Sequence, residues 1–267
     1  MKQLAIVGPT ASGKSAVALE LARRTPGIEL ASVDAMQVYR SMDLGTAKPT
    51  AAERAEVPHH LIDLVDPHED FSVAQFQDAA RQVVADAARR SVPMLVWVGG
   101  TGLYLSAVLD GLTLPGSWPT IRARLEHEAA TVGPEALHER LLGLDPVAAS
   151  RTEPTNTRRI VRALEVIEGS GRPFSSFGPG LATYPAIETP IVGLQWDRPT
   201  LTARIEARVH TMMTAGLLDE VRALARRPMS STARQALGYK ELLDHFDGSV
   251  GLDEAVATII TRTRQFA

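Results

Sequence analysis

The chain has 267 residues, 45% hydrophobic and 22% charged, which excludes wholesale disorder and allows one or two domains with a sizeable core. Its net charge of −3 excludes a uniformly basic nucleic-acid binder while leaving room for a local basic face. The absence of cysteine excludes disulfides, thiolate metal sites and a cysteine nucleophile and suits a reducing, cytoplasmic setting, and no apolar run is long enough to predict a membrane partner.

Leu4–Val7 is a short apolar run closed by Gly8-Pro9, too short for a signal peptide and suited to a strand buried on both faces. Ser15–Arg24 reads as a helix, Ile28–Val33 as a second strand ending at Asp34, Val73–Arg90 as an amphipathic helix, and Met94–Val98 as a third strand. Strands alternating with helices predict an α/β fold with a parallel sheet core. The pattern changes after Leu112. Leu114–Pro119 resembles a linker, and only helical signals follow to Gly169, the expected stop of a helix over Asn156–Glu168. Gly171–Pro185 is turn-like, Ile191–Leu194 returns to strand character, and long helical stretches over Pro199–Arg227, over Ser231–Phe246 and from Leu252 close the chain. The expected organisation is a core of residues 1–115 and 187–267 with an inserted all-helical domain, residues 116–186.

Gly8-Pro9-Thr10-Ala11-Ser12-Gly13-Lys14-Ser15 matches G-x-x-x-x-G-K-[ST] between a strand and a helix. In that context backbone N–H groups wrap a polyphosphate and the helix aims its positive end at it. Lys14 reaches the terminal phosphates, and the Ser15 hydroxyl is a ligand for Mg²⁺. The loop does not name the reaction. Asn-Lys-x-Asp and Asp-x-x-Gly motifs are missing, which disfavours a switch GTPase. Asp34, at the carboxyl end of its strand, is expected in the same crevice, as a magnesium ligand or proton acceptor, or else as a helix N-cap.

Further blocks accompany the loop: Ser32–Arg40, Gly45-Thr46-Ala47-Lys48-Pro49, His59–Asp63, Val98–Tyr104, Asn156–Glu165, Arg204–Arg208 and Gln235–Glu241. Together, in this order, they resemble the bacterial tRNA dimethylallyltransferase family. The resemblance implies transfer of a dimethylallyl group from dimethylallyl diphosphate to N6 of adenosine 37, beside the anticodon, in tRNA. It implies that residues Gly8–Ser15 hold the diphosphate of a prenyl donor, with Arg204 as an added clamp. It also implies Thr101 at the reaction centre and Asp34 as general base, with Lys14 and Arg204 helping the leaving group depart. The tRNA contacts it implies are Asp34, Ala35, Met36, Gln37, Thr101, Arg122, Arg158, Arg159, Ile160, Val161, Arg162 and Gln235, several of them in the helical insertion.

The local charge is consistent with part of this. Arg198 to Lys240 holds eight Arg/Lys against three Asp/Glu, although, apart from the resemblance, ordinary solvated helix charge is the favoured reading of the Arg158–Arg162 cluster, with Glu165 and Glu168 nearby. Two departures stand out: Ala35 replaces the family's usual serine, and family members normally continue past Ala267 through a basic, Trp-containing segment. His59-His60 lacks metal-ligand spacing, and Met212-Met213 belongs to a core stripe with Ile205, Val209 and Leu217. A monomer is the default expectation. The alternative reading is a P-loop small-molecule kinase, with the same loop, the same Mg²⁺ and Asp34 facing an acceptor hydroxyl.

Overall fold

The computed structural model describes residues 1–178 and 188–267. The chain divides into two compact units, Met1–Leu109 with Ile187–Ala267, and Asp110–Ala186. The 186/187 boundary and the far end of the Gly171–Pro185 stretch lie outside the described residues.

In the first unit, β1 (Lys2–Val7), β2 (Ile28–Val33), β3 (His59–His60), β4 (Met94–Gly99) and β5 (Ile191–Gly193) form one sheet in the order β3-β2-β4-β1-β5. Every pairing is parallel. Side chains alternate between the faces with the period of two that a strand imposes. Ala5, Ala31, Val33, Leu95 and Trp97 enter the larger core. Ile6, Ile28, Leu30 and Val96 meet Ala18, Leu19 and Ala22 on the opposite side. Both faces are therefore covered, which is why these strands read as unbroken apolar runs. Helix α1 (Lys14–Arg24) supplies that smaller core. Helices α2 (Ala51–Glu56) and α3 (Val73–Arg89) both start with capping boxes, Thr50 with Glu53 and Ser72 with Gln75. Helix α4 (Gly102–Leu109) follows β4 directly.

The second unit holds α5 (Pro119–Val132), α6 (Pro134–Leu144), α7 (Pro146–Ser150) and α8 (Thr157–Ser170) around a core that includes Leu125, Leu137, Leu141, Ile160 and Leu164. The segment expected as a linker is fastened to this unit. Glu165, fully buried, accepts from Trp118 N (2.7 Å) and Arg122 Nε (2.9 Å), and pairs with Arg162 at 3.0 Å. Arg162 also donates to Pro115 O at 3.1 Å. Burial alone would raise the Glu165 pKa, but the Trp118 N–H and the two guanidiniums outweigh it and hold the carboxyl below its ordinary value. Gly169 is not the helix stop. It lies inside α8 because Trp118 packs on it: a Cβ there would collide with the Trp118 ring. Gly171, at φ +68, ends the helix instead.

The remaining helices return to the first unit: α9 (Arg198–Thr214), α10 (Leu217–Leu224), α11 (Ser231–Arg234), α12 (Tyr239–Phe246) and α13 (Leu252–Phe266). Two stretches expected as single helices are thus each broken. The breaks fall at Gly216 and Gly238, whose φ angles of +105° and +91° no helix accommodates. Among the described residues no helix is long and apolar enough to cross a membrane.

Candidate active site

β1 delivers the chain into the loop Gly8–Gly13, and α1 begins at Lys14, so the helix N-terminus faces the loop. Lys14 Nζ donates to Pro9 O at 2.7 Å, which folds the lysine back over the cradle. Ser12 is 3% exposed, and its Oγ has no hydrogen-bond partner among the described residues, so a polar atom in this loop awaits a ligand. Burial lowers the Lys14 pKa to about 8, helped by the positive charge of Arg208 and opposed by Asp34.

The carboxyl ends of β1, β2 and β4 open into a cavity of about 1290 Å³, lined entirely by the first unit. Parallel sheets bind ligands at this edge. Gly8–Thr10, Lys14 and Ser15 line the cavity together with Asp34–Gln37 and Thr101. Asp34 Oδ1 accepts from Met36 N (2.8 Å) and Gln37 N (3.3 Å), so the turn after β2 fixes the carboxylate and leaves Oδ2 without a hydrogen bond among the described residues. Gln37 is 9% exposed. Its Oε1 accepts from Ser32 Oγ (2.7 Å), and its Nε2 donates to Thr46 O (3.0 Å) and Ala47 O (3.2 Å), so the side chain is committed to the loop rather than offered outward. Ala35 and Met36 are half-buried, and Gln235 borders the cavity after α11.

Of Arg204 and Arg208 on α9, the structure turns Arg208, to which the sequence reading gave no role, toward the cavity, and not Arg204, the expected clamp. Arg204 is exposed, lies outside the cavity lining, and donates from Nε to Ala11 O at 2.8 Å. Arg208, one turn later on α9, lines the cavity on the face that also carries Ile205, Val209 and Met212. Burial depresses its pKa, and the Asp34 charge opposes that shift. A signal for this was present: Arg208 is three residues after Ile205, within the apolar stripe, whereas Arg204 is off it.

In the second unit the predicted contacts separate. Ile160 and Val161 are 0% and 3% exposed, core residues of α8 whose side chains present no surface. Arg122 and Arg162 are engaged by Glu165. Arg158 and Arg159 are exposed, in the first turn of α8, with no carboxylate partner among the described residues.

One feature was invisible in the sequence. Glu220, on α10, accepts from Asp43 N (3.1 Å), Leu44 N (2.8 Å) and Tyr239 Oη (2.6 Å). It thereby anchors the loop whose Gly45, Thr46 and Ala47 line the cavity beside Gln37. The two ends of this contact lie about 175 residues apart in sequence, and no local pattern announces it.

Among the described residues no group of three or more His, Cys, Asp or Glu could hold a metal. Ser15 and Asp34 offer a hydroxyl and a carboxylate in the same cavity, which fits Mg²⁺ held jointly with phosphate oxygens rather than in an all-protein cage.

A phosphate cradle, a carboxylate and an inward arginine at the carboxyl edge of a parallel sheet define a P-loop protein of NTPase-like fold. The chain matches the family described as IPP transferase over residues 37–267, and the one described as isopentenyl transferase over residues 1–63. It is 52% identical to the tRNA dimethylallyltransferase of Roseiflexus castenholzii, over 99% of this chain and 86% of that protein. Among solved structures it is similar to the full-length tRNA isopentenylpyrophosphate transferase of Bacillus halodurans, with TM-score 0.68 and 42% identity over 99% of this chain and 84% of the other. It is also similar to a eukaryotic dimethylallyltransferase acting on tRNA, with TM-score 0.80 and 26% identity over 100% of this chain and 68% of the other. The chain belongs to the IPP transferase family, whose relatives carry the name tRNA dimethylallyltransferase.

Proposed function

We propose that the chain transfers a dimethylallyl group from dimethylallyl diphosphate to N6 of adenosine 37 in tRNA, forming N6-dimethylallyladenosine, as a cytoplasmic monomer. The observation that carries this reading is the convergence of Lys14, Arg208 and Asp34 on one cavity with the phosphate cradle.

The loop amides, Lys14 and Arg208 bind the donor's diphosphate and neutralise the negative charge that grows on it as its bond to the allylic carbon breaks. Magnesium at Ser15 would add charge neutralisation on the same oxygens. Ile205, Val209 and Met212, beside Arg208 on α9, give the hydrocarbon an apolar wall and exclude water from the electron-poor carbon. N6 of the adenine forms the new bond to that carbon. Its proton passes to Asp34 Oδ2, the oxygen the turn leaves free. Thr101, at the start of α4, borders the reacting atoms. A base inside a stack cannot reach this cavity, so the adenosine must be extruded. Arg158 and Arg159, at the positive end of α8, suit RNA phosphates.

The test is single-turnover transfer of labelled dimethylallyl diphosphate to unmodified tRNA carrying adenosine or guanosine at position 37. Label on the adenosine tRNA alone is the expected result. ATP consumption without label would overturn it in favour of a small-molecule kinase.

A further inference from the structure

We propose that Trp196 and Arg204 form a positioning strap that holds the phosphate cradle in its binding shape and thereby sets the affinity for the diphosphate. The inference rests on the reading of Gly8–Ser15 as a diphosphate site.

The strap is built from the segment that leaves β5. Leu194 N donates to Val7 O at 2.8 Å, so the chain runs alongside the loop as it departs the sheet. Trp196 Nε1 then donates to Ser12 O at 2.9 Å, and Arg204 Nε donates to Ala11 O at 2.8 Å. The Arg204 guanidinium lies over the Trp196 ring, 4.7 Å from its centroid, so each donor orients the other. Neither side chain lines the cavity, which makes them positioning residues.

Their targets explain what they do. Ala11 has φ +61°, a left-handed conformation that a non-glycine residue holds only when its surroundings enforce it. The two carbonyls held by the strap belong to the peptide units that carry the N–H groups of Ser12 and Gly13. Ser12 N donates to Pro9 O at 3.3 Å and closes the turn. Gly13 N has no acceptor among the described residues and is left for a ligand. A hydrogen bond at the carbonyl of a peptide unit polarises its N–H and strengthens it as a donor. The strap therefore fixes both peptide units, one with its N–H closing the turn on Pro9 O and the other with its N–H unpaired, and spares the diphosphate the cost of ordering the loop on binding.

Trp196→Phe keeps a ring beneath Arg204 and removes the indole N–H. The measurements are calorimetric titration with inorganic pyrophosphate and Mg²⁺, steady-state prenyl transfer, and thermal unfolding, on wild type and variant. Losing one ordering hydrogen bond should raise Kd for pyrophosphate and KM for the donor by about three- to tenfold. kcat should stay within about twofold, with KM for tRNA unchanged. Arg204→Lys, an exposed change that keeps the charge but loses the stacked plane, should move the same constants in the same direction. Variants that bind pyrophosphate like wild type overturn the inference, as does a fall in thermal midpoint with donor KM unchanged. Failure of wild type itself to bind pyrophosphate overturns the diphosphate reading, and this inference with it.

Discussion

Lys14 should make donor binding sensitive to alkaline pH. Its pKa of about 8 in the free protein lies well below that of an ordinary lysine, because the ammonium is partly buried and faces Arg208. Dimethylallyl diphosphate is an anion, so on the proposed reading it should bind the protonated form. Below pH 8 that form already dominates. Above pH 8 the free protein has lost the proton and must regain it on binding, so affinity falls as pH rises. With a pKa of 8, about nine-tenths of Lys14 is charged at pH 7 and about one-tenth at pH 9, so Kd should weaken about tenfold between them. The donor adds no titration of its own in that window, since phosphate groups complete ionisation near pH 6. Calorimetry in buffers of differing ionisation enthalpy reads both Kd and proton uptake. Arg208→Gln removes one of the two depressing influences, so the break should move to higher pH even as overall affinity drops. Lys14→Arg, which cannot lose its proton, should flatten the profile. A wild-type Kd that stays constant from pH 7 to about 9.5, with no proton uptake, would refute the reasoning.

Asp34→Asn keeps an oxygen for Met36 N but cannot accept a proton from N6, so kcat should fall by about 10²- to 10⁴-fold with pyrophosphate Kd nearly unchanged. A comparable loss in Kd would recast Asp34 as a binding residue. Glu165→Ala strips the partner from Arg122 and Arg162 and frees Trp118 N, and should cost about 3 kcal/mol in urea unfolding. Because the Glu165 pKa is held below its unfolded value, the wild-type contribution is present at neutral pH and is lost as pH falls through the folded pKa. A loss under about 1 kcal/mol would place the clamp among ordinary surface pairs.

The legible parts of the site were those in which one short segment carries both the chemistry and its geometry. The loop from Gly8 to Ser15 is such a segment, because strand, turn and helix N-terminus follow one another without a gap. Asp34 was legible for the same reason, as the residue that directly follows β2. Arg204 and Arg208 were harder, since one helical turn separates them and only the apolar phase of α9 says which faces inward. Gly169 looked like a helix stop because glycine usually is one; the ring of Trp118, some fifty residues earlier in the chain, decided otherwise. β3 is two residues long, below the reach of any periodicity argument, and it pairs because His59 and His60 register with Leu30 and Ala31. Glu220 was beyond reach altogether, since the loop it anchors binds it through backbone amides from the other half of the chain.

The order of strands in the sheet also sets a timetable for synthesis. β1 lies between β4 and β5, yet β5 leaves the ribosome roughly 90 residues after β4, about 5 to 18 seconds later at ordinary elongation rates. Throughout that interval one edge of β1 has no neighbour, and the nascent sheet presents an open row of hydrogen-bonding groups. What emerges meanwhile is the helical unit, whose apolar residues close on one another through contacts local in sequence and need nothing from β5. The insertion can thus be compact while the sheet still waits for its last strand, and a chaperone recruited to this chain should find its target in β1.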